Sequence, residues 1–182
     1  MNLESFTCVS KLSLFLGMVL NKSFKLSYVK IRAQHLKYLG VFGCHDTLKA
    51  RINTPSLGHF DFQGYIKSRV CLSAPHLLMA RIIIEDKQFS TFNGPWKHFS
   101  TLRDFLESFG CSKNITLSIC DFKALIFPEN FRRAFYPPLL GLKNLVLLTA
   151  NFPSVEIESS SLKESLAWMS SSAVELIPIS VL

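Results

Sequence analysis

The apolar positions of residues 28–83 repeat in three aligned segments, which read VKIRAQHLKYLGV, ARINTPSLGHFDF and VCLSAPHLLMARI. Ile31, Ile52 and Leu72 correspond to one another, at steps of 21 and 20 residues. In each copy a leucine stands five positions after this apolar residue, and apolar and variable residues then alternate. A period in the low twenties with this phasing is typical of leucine-rich repeats.

Each copy divides into two apolar stretches separated by a polar or proline-containing corner. Proline fixes φ and cannot continue a strand ladder, so it suits a corner. The second stretch alternates like a half-buried strand, and such strands are expected to stack in parallel along a concave face. The first stretch is expected to cross a convex side or descend through the core. The pattern therefore predicts an α/β leucine-rich-repeat solenoid, a curved parallel sheet with an irregular or helical convex side.

Residues 28–83 therefore form three regular repeats of about 21 residues, and the segments on either side of them are less regular. Residues 1–27 indicate a partial N-terminal repeat, and residues 84–182 indicate longer, irregular repeats. Both ends are apolar and have no polar capping element, which a terminal solenoid repeat needs. The solenoid is therefore expected to be truncated at both ends.

Helical spacing of apolar residues predicts two helices in the second half, over residues 98–108 and 162–169. Ser100 or Thr101 is expected to cap the first helix at its N-terminus. Gly110 is in a suitable position for the left-handed residue that follows a helix.

Composition and charge narrow the class of protein. The chain has 182 residues, 48% of them hydrophobic, and its sixteen Phe are expected to fill the interior. Residues 1–83 contain eleven Lys or Arg against three Asp or Glu, whereas residues 84–182 contain nine against ten. A basic first half is compatible with nucleic acid, an acidic protein, a membrane surface or a solvated face. Nucleic acid is disfavoured, because no basic cluster is interleaved with stacking aromatic residues.

The sequence contains no catalytic or metal-binding signature. Its five Cys are odd in number and form no C-x-x-C pair, which argues against a disulfide framework and a zinc ribbon. Reduced thiols indicate the cytoplasm or the nucleus. The apolar stretch Leu12–Leu20 is too short to span a bilayer, so no membrane is expected. No H-E-x-x-H, P-loop or G-x-S-x-G motif occurs, and we expect no enzyme activity, no catalytic residue, no metal and no cofactor.

Several segments resemble the leucine-rich half of plant F-box/LRR-repeat proteins, a group that often has a C-terminal FBD-type extension. The segments lie within residues 25–173 and are LKYLGVFGC, NTPSLGHFDFQGY, SAPHL, KNITLSI, LIFPENFRR, GLKNLVLL and SLKESLAWMSSSA. The resemblance implies a substrate-recognition module of an SCF-type ubiquitin ligase with an unknown protein target. The F-box itself, with its L-P-x-x-[IL] opening and late W-R-x-L-W segment, is missing. A Skp-type adaptor is therefore a partner only if an F-box is supplied.

A candidate binding surface follows from the strand alternation, since the residues between buried positions point to the concave face. An aromatic anchor with mixed polar neighbours is the usual composition of a contact hot spot. The candidate residues are Tyr38, Phe42, His59, Asp61, Gln63 and Arg81. Two alternatives to a protein-interaction module stay open: a truncated gene product without independent function, and a nucleic-acid binder that uses the basic half.

Overall fold

The computed structural model describes residues 2–3, 10–15, 28–44, 48–85, 95–149, 160–170 and 173–178. These residues form an α/β fold with parallel sheets. The strands are β1 (Asn2–Leu3), β2 (Lys11–Phe15), β3 (Tyr28–Arg32), β4 (Tyr38–Cys44), β5 (Lys49–Asn53), β6 (His59–Gly64), β7 (Arg69–Ser73), β8 (Met79–Ile84), β9 (Asn114–Ile119), β10 (Asn144–Thr149) and β11 (Ala173–Pro178).

Two sheets share these strands, and every strand pair is parallel. The larger sheet has the order β11-β10-β9-β8-β6-β4-β2, and the smaller sheet has the order β1-β3-β5-β7. From β1 to β8 the chain alternates between the two sheets. Each of the three sequence repeats therefore contributes one strand to the smaller sheet, a corner, and one strand to the larger sheet.

The corners are hydrogen-bonded turns at corresponding places in the repeats. The backbone N–H of Leu57 donates to the carbonyl of Thr54 at 3.0 Å, and that of Leu77 donates to the carbonyl of Ala74 at 3.0 Å. Each of these turns has proline at its second position, where its fixed φ is already that of a turn. The corner expected from the proline pattern is therefore present.

The first stretch of each repeat differs from the prediction. Over residues 28–73 these stretches are the strands β3, β5 and β7, so the expectation of an irregular or helical second side was wrong there. The physical reason lies in their own alternation. Val29 and Ile31 are buried in β3 between more exposed neighbours, and Ala50 and Ile52 are buried in the same way in β5. A period of two in burial is the pattern of a strand with one solvated face.

Helices follow β8 in the described part of the chain. They are α1 (Pro95–Glu107), a short 3-10 helix (Phe122–Leu125), α2 (Glu129–Ala134) and α3 (Ser160–Met169). Helices were predicted over 98–108 and 162–169. The observed α1 begins three residues earlier, at a proline, which is well suited to the first turn of a helix because it lacks an N–H group.

The predicted capping residues of α1 do not cap the helix, so that prediction was wrong. Ser100 and Thr101 lie inside the helix, where their hydroxyls donate to the carbonyls of Trp96 and Lys97 at 2.9 and 2.8 Å. Gly110 follows the helix without the positive φ of a left-handed cap. A Cβ added at Gly110 would lie 3.1 Å from a backbone carbonyl oxygen, so close packing accounts for the glycine there.

Aromatic rings connect the larger sheet to the helices within one continuous core. The ring centroid of Phe60 lies 5.8 Å from that of Phe109, and the centroid of Phe62 lies 5.3 Å from that of Phe105, so β6 packs against α1. A second group of aromatic side chains packs among the helices and includes Trp96, Phe99, Phe127, Phe131, Phe135 and Trp168. Offset and tilted ring pairs at these distances stabilise beyond the area that they bury.

Candidate binding surface

The outward face of the larger sheet is arranged in rows that run across its strands. Parallel register places Tyr38 beside His59 and His59 beside Met79. In the next row, two residues further along the strands, Asp61 lies beside Arg81. All six residues predicted for the site lie on this face, which we call the outer face of the larger sheet: Tyr38 and Phe42 on β4, His59, Asp61 and Gln63 on β6, and Arg81 on β8.

Tyr38 is the centre of a small polar network on this face. Its hydroxyl donates to Oδ2 of Asp61 at 2.8 Å, and Nζ of Lys11 lies 4.8 Å from the centre of its ring. Burial raises the pKa of Tyr38, and the hydrogen bond to Asp61 and the negative charge of that carboxylate raise it further. A hydrogen bond with Ser13 and the positive charge of Arg81 act in the opposite direction. Tyr38 is therefore a neutral donor at physiological pH.

Gly40 allows the aromatic side chain of Phe42 to lie against the sheet. A Cβ added at Gly40 would lie 2.5 Å from Cε2 of Phe42 and 3.2 Å from the hydroxyl oxygen of Tyr38. Real side chains do not approach that closely, so only glycine is compatible with this position of the ring. Phe42 consequently covers the backbone of β4 next to Tyr38, and the two rings form adjacent parts of one surface.

The six predicted residues are not equally available to a partner. Asp61 is already bonded to Tyr38, and Nε2 of Gln63 donates to Oε1 of Glu85 at 2.7 Å. His59 and Arg81 are exposed. Met79, which stands next to His59 in the same row, is 45% exposed although it is a large apolar residue. The strand alternation of the sequence also places Met79 outward, two residues before Arg81, although Met79 is not one of the six candidates.

Two asparagines extend the same face towards β9 and β10. Nδ2 of Asn144 donates to Oδ1 of Asn114 at 2.7 Å, and Nδ2 of Asn114 donates to the carbonyl of Leu78 at 2.8 Å. Strand alternation in the segment GLKNLVLL also places Asn144 outward, but its pairing with Asn114 was not predicted. A sequence signal was present, because each strand begins at the Asn of a Lys-Asn pair, Lys113-Asn114 and Lys143-Asn144.

Within the described residues, no group of three or more His, Cys, Asp or Glu side chains is arranged to hold a metal ion. Of the five histidines in the sequence, His45 lies outside the described residues. None of the described helices has both the length and the hydropathy that a membrane-spanning helix needs.

Comparisons of the chain with protein-family models, with curated proteins and with solved structures found no match. The resemblance to F-box/LRR-repeat proteins, based on short segments and repeat phasing, therefore stays a prediction.

Proposed function

We propose that this chain is a non-catalytic protein-interaction module, a repeat solenoid that binds a protein on the outer face of its larger sheet. The main observation in favour is the row structure of that face. Equivalent positions of successive repeats lie side by side, so that Tyr38, His59 and Met79 form one row and Asp61 and Arg81 part of the next. Repeat proteins of this type use extended surfaces built in this way for binding.

The composition of the face supports a protein partner. Aromatic residues, Met and Arg are enriched in the cores of protein interfaces. Tyr38 and Phe42 on β4 and Met79 and Arg81 on β8 supply these types. The two strands flank β6, where His59 lies between Tyr38 and Met79. The side chains are held on paired strands, so little backbone entropy would be lost on binding.

The resemblance to F-box/LRR-repeat proteins suggests the class of partner. In that family the repeat half recognises a protein that is to be ubiquitylated, and the F-box binds the Skp-type adaptor. On this hypothesis the outer face of the larger sheet binds the substrate, and adaptor binding requires an F-box that this sequence does not contain.

A comparative capture experiment tests the proposal. The purified chain, immobilised, is exposed to plant extract, and the captured proteins are quantified by mass spectrometry. A double variant, Phe42→Glu with Met79→Glu, places two charges on the outer face and is expected to reduce capture of a specific partner about tenfold or more, the effect of losing interface anchors. The matched control is Tyr136→Glu with Leu140→Glu, at sites that are 81% and 62% exposed outside that face.

The control variant should capture the same proteins as the unchanged chain. Circular dichroism and gel filtration of all three proteins ensure that a loss of binding is not a loss of folding. If the face variant, still folded, captures the same proteins as the control, the outer face of the larger sheet is not the binding surface and the proposal fails.

A further inference from the structure

The smaller sheet ends at β7, whose only paired neighbour in the described part of the chain is β5. The backbone N–H of Arg69 donates to the carbonyl of Leu48 at 2.8 Å, so Arg69 directs its backbone groups towards β5. In a parallel ladder, successive residues direct these groups to opposite sides. Val70 and Leu72 therefore direct their N–H and C=O groups towards the open side of β7. Such an edge is a template for an added strand.

A groove of about 500 Å³ lies along this open edge. One wall is residues 66–71, which include the first half of β7, and the other wall is the side of α1 that contains Thr101, Asp104, Phe105 and Ser108. These four helical positions lie on one face of α1 because they are spaced by three and four residues. Arg69, Val70 and Cys71 of β7 line the groove, so a strand that paired with this edge would lie between β7 and α1.

The charge beside the groove selects an acidic partner. Register places Lys49 beside Arg69 and Lys30 beside Arg51 on the outward face of the smaller sheet. The described strands β3, β5 and β7 contain no Asp or Glu. On the helix wall, the carboxylate of Asp104 is already paired with Arg103, at 2.7 Å. A strand added next to β7 would align its outward side chains with Arg69, where carboxylates are favoured and lysines are repelled.

The same charge argues against pairing between two copies of the chain. Two β7 edges that met would join two basic sheet faces into one, and repulsion among the Lys and Arg side chains of that joined face opposes the pairing. We propose that β7 accepts an extended acidic peptide as a further strand of the smaller sheet, with main-chain hydrogen bonds to Val70 and Leu72 and carboxylates beside Arg69. This site lies on the other sheet from the outer face proposed above and does not depend on that proposal.

Fluorescence anisotropy with labelled five-residue peptides tests the added strand. The probe is Glu-Val-Glu-Val-Glu, which matches the five residues of β7, and the charge control is Lys-Val-Lys-Val-Lys. Two further probes carry backbone N-methyl groups, one on both valines and the other on the two later glutamates. Because a strand directs alternate N–H groups to one neighbour, methylation of one set should weaken binding about tenfold or more, and methylation of the other set should have little effect.

Three variants of the full chain locate the site. Arg69→Glu should lower the affinity for the acidic peptide about tenfold, because it replaces attraction by repulsion beside the added strand. Lys143→Glu makes the same charge change at an exposed position outside the groove and should change the affinity about twofold or less. Val70→Pro removes an N–H that faces the groove but leaves the ladder to β5 intact, so the chain should fold and lose the peptide.

Four outcomes would overturn the proposal. They are no binding of the acidic peptide, equal binding of both N-methylated peptides, equal effects of Arg69→Glu and Lys143→Glu, and a dimer in gel filtration that Val70→Pro dissociates. Equal binding of the methylated peptides would indicate attraction by charge alone, as for a nucleic acid, and the dimer would indicate that a second copy occupies the edge.

Discussion

Thr54 offers a sharp test of packing in the repeat corners. It occupies the corner position at which the neighbouring units have Ala33 and Ala74. Its side chain is 0% exposed, and its hydroxyl oxygen has no hydrogen-bond partner within the described residues. A hydroxyl that leaves water without gaining a partner destabilises the folded state. We therefore predict that Thr54→Val stabilises the chain.

Two contributions determine the size of this effect. Removing an unpaired buried hydroxyl favours folding by about 1–3 kcal/mol, and the new buried methyl adds about 0.8 kcal/mol. Val has nearly the shape of Thr and the same branching at Cβ, so little rearrangement is needed. Incomplete packing of the new methyl offsets part of this sum, and we expect a net gain of about 1–2 kcal/mol. For a chain of this size that gain corresponds to a rise in Tm of roughly 2–8 °C.

Urea unfolding of three variants separates the hydroxyl from the methyl. Thr54→Val should be the most stable, and Thr54→Ser, which keeps the hydroxyl but loses the methyl, should be less stable than the unchanged chain by about 1 kcal/mol. Thr54→Ala loses both groups and should lie close to the unchanged chain, since two other corners tolerate Ala. If Thr54→Val is less stable at an unchanged m value, the hydroxyl does have a partner and the reasoning is refuted.

Two further predictions concern a buried serine and the central tyrosine. The hydroxyl of Ser165 accepts from the N–H of Phe127 at 2.9 Å and donates to the carbonyl of Leu125 at 2.5 Å. In urea titrations, Ser165→Ala should therefore lower the free energy of unfolding by about 2–4 kcal/mol. The exposed control Ser161→Ala should lower it by less than about 0.5 kcal/mol. Because burial and a neighbouring carboxylate raise the pKa of Tyr38 above 10.0, the folded chain holds the phenolic proton more tightly than the unfolded chain does. The stability that this provides is present below pH 10 and is lost as the pH rises through the pKa of Tyr38 in the folded chain. The titration of Tyr38 is obtained by subtracting the near-ultraviolet titration curve of the Tyr38→Phe variant from that of the unchanged chain. Its midpoint should lie above 10.0, and a midpoint at or below 10.0 contradicts the assignment.

Repeat alignment was sufficient to place the candidate surface. Alternation alone shows which side chains of a strand face outward, and equal spacing of the repeats shows which residues become neighbours in the sheet. Tyr38 and His59 differ by one repeat period, and the structure pairs them directly. The same applies to His59 and Met79. Both steps depend only on backbone periodicity, which short-range sequence patterns determine.

Features that depend on individual side-chain conformations were not predictable in this way. The position of the Phe42 ring over Gly40 is a rotamer choice that is made only when both neighbours are in place. Ser165 satisfies backbone groups about 40 residues earlier in the chain, a separation that no local pattern encodes. The strand character of β3, β5 and β7 was present in the sequence, but a repeat template with one strand per unit assigned these stretches to a different role.

The positive charges of residues 28–83 are distributed unequally between the two sheets. In residues 28–83 the cations of the smaller sheet and its adjoining turn are Lys30, Arg32, Lys49, Arg51, Lys67 and Arg69. Lys37 directly precedes β4, and Arg81 lies on the outer face of the larger sheet. The inward residues of both sheets belong to one buried cluster, so the basic face and the mixed aromatic face lie on opposite sides of a shared core. Because surface charges more than about 10 Å apart are largely screened at physiological salt, each face can select a partner by its own chemistry. Most of the described Lys and Arg residues in the first half of the sequence therefore belong to the smaller sheet and its adjoining turn, whereas Lys11, Lys37 and Arg81 belong to the larger sheet or its border.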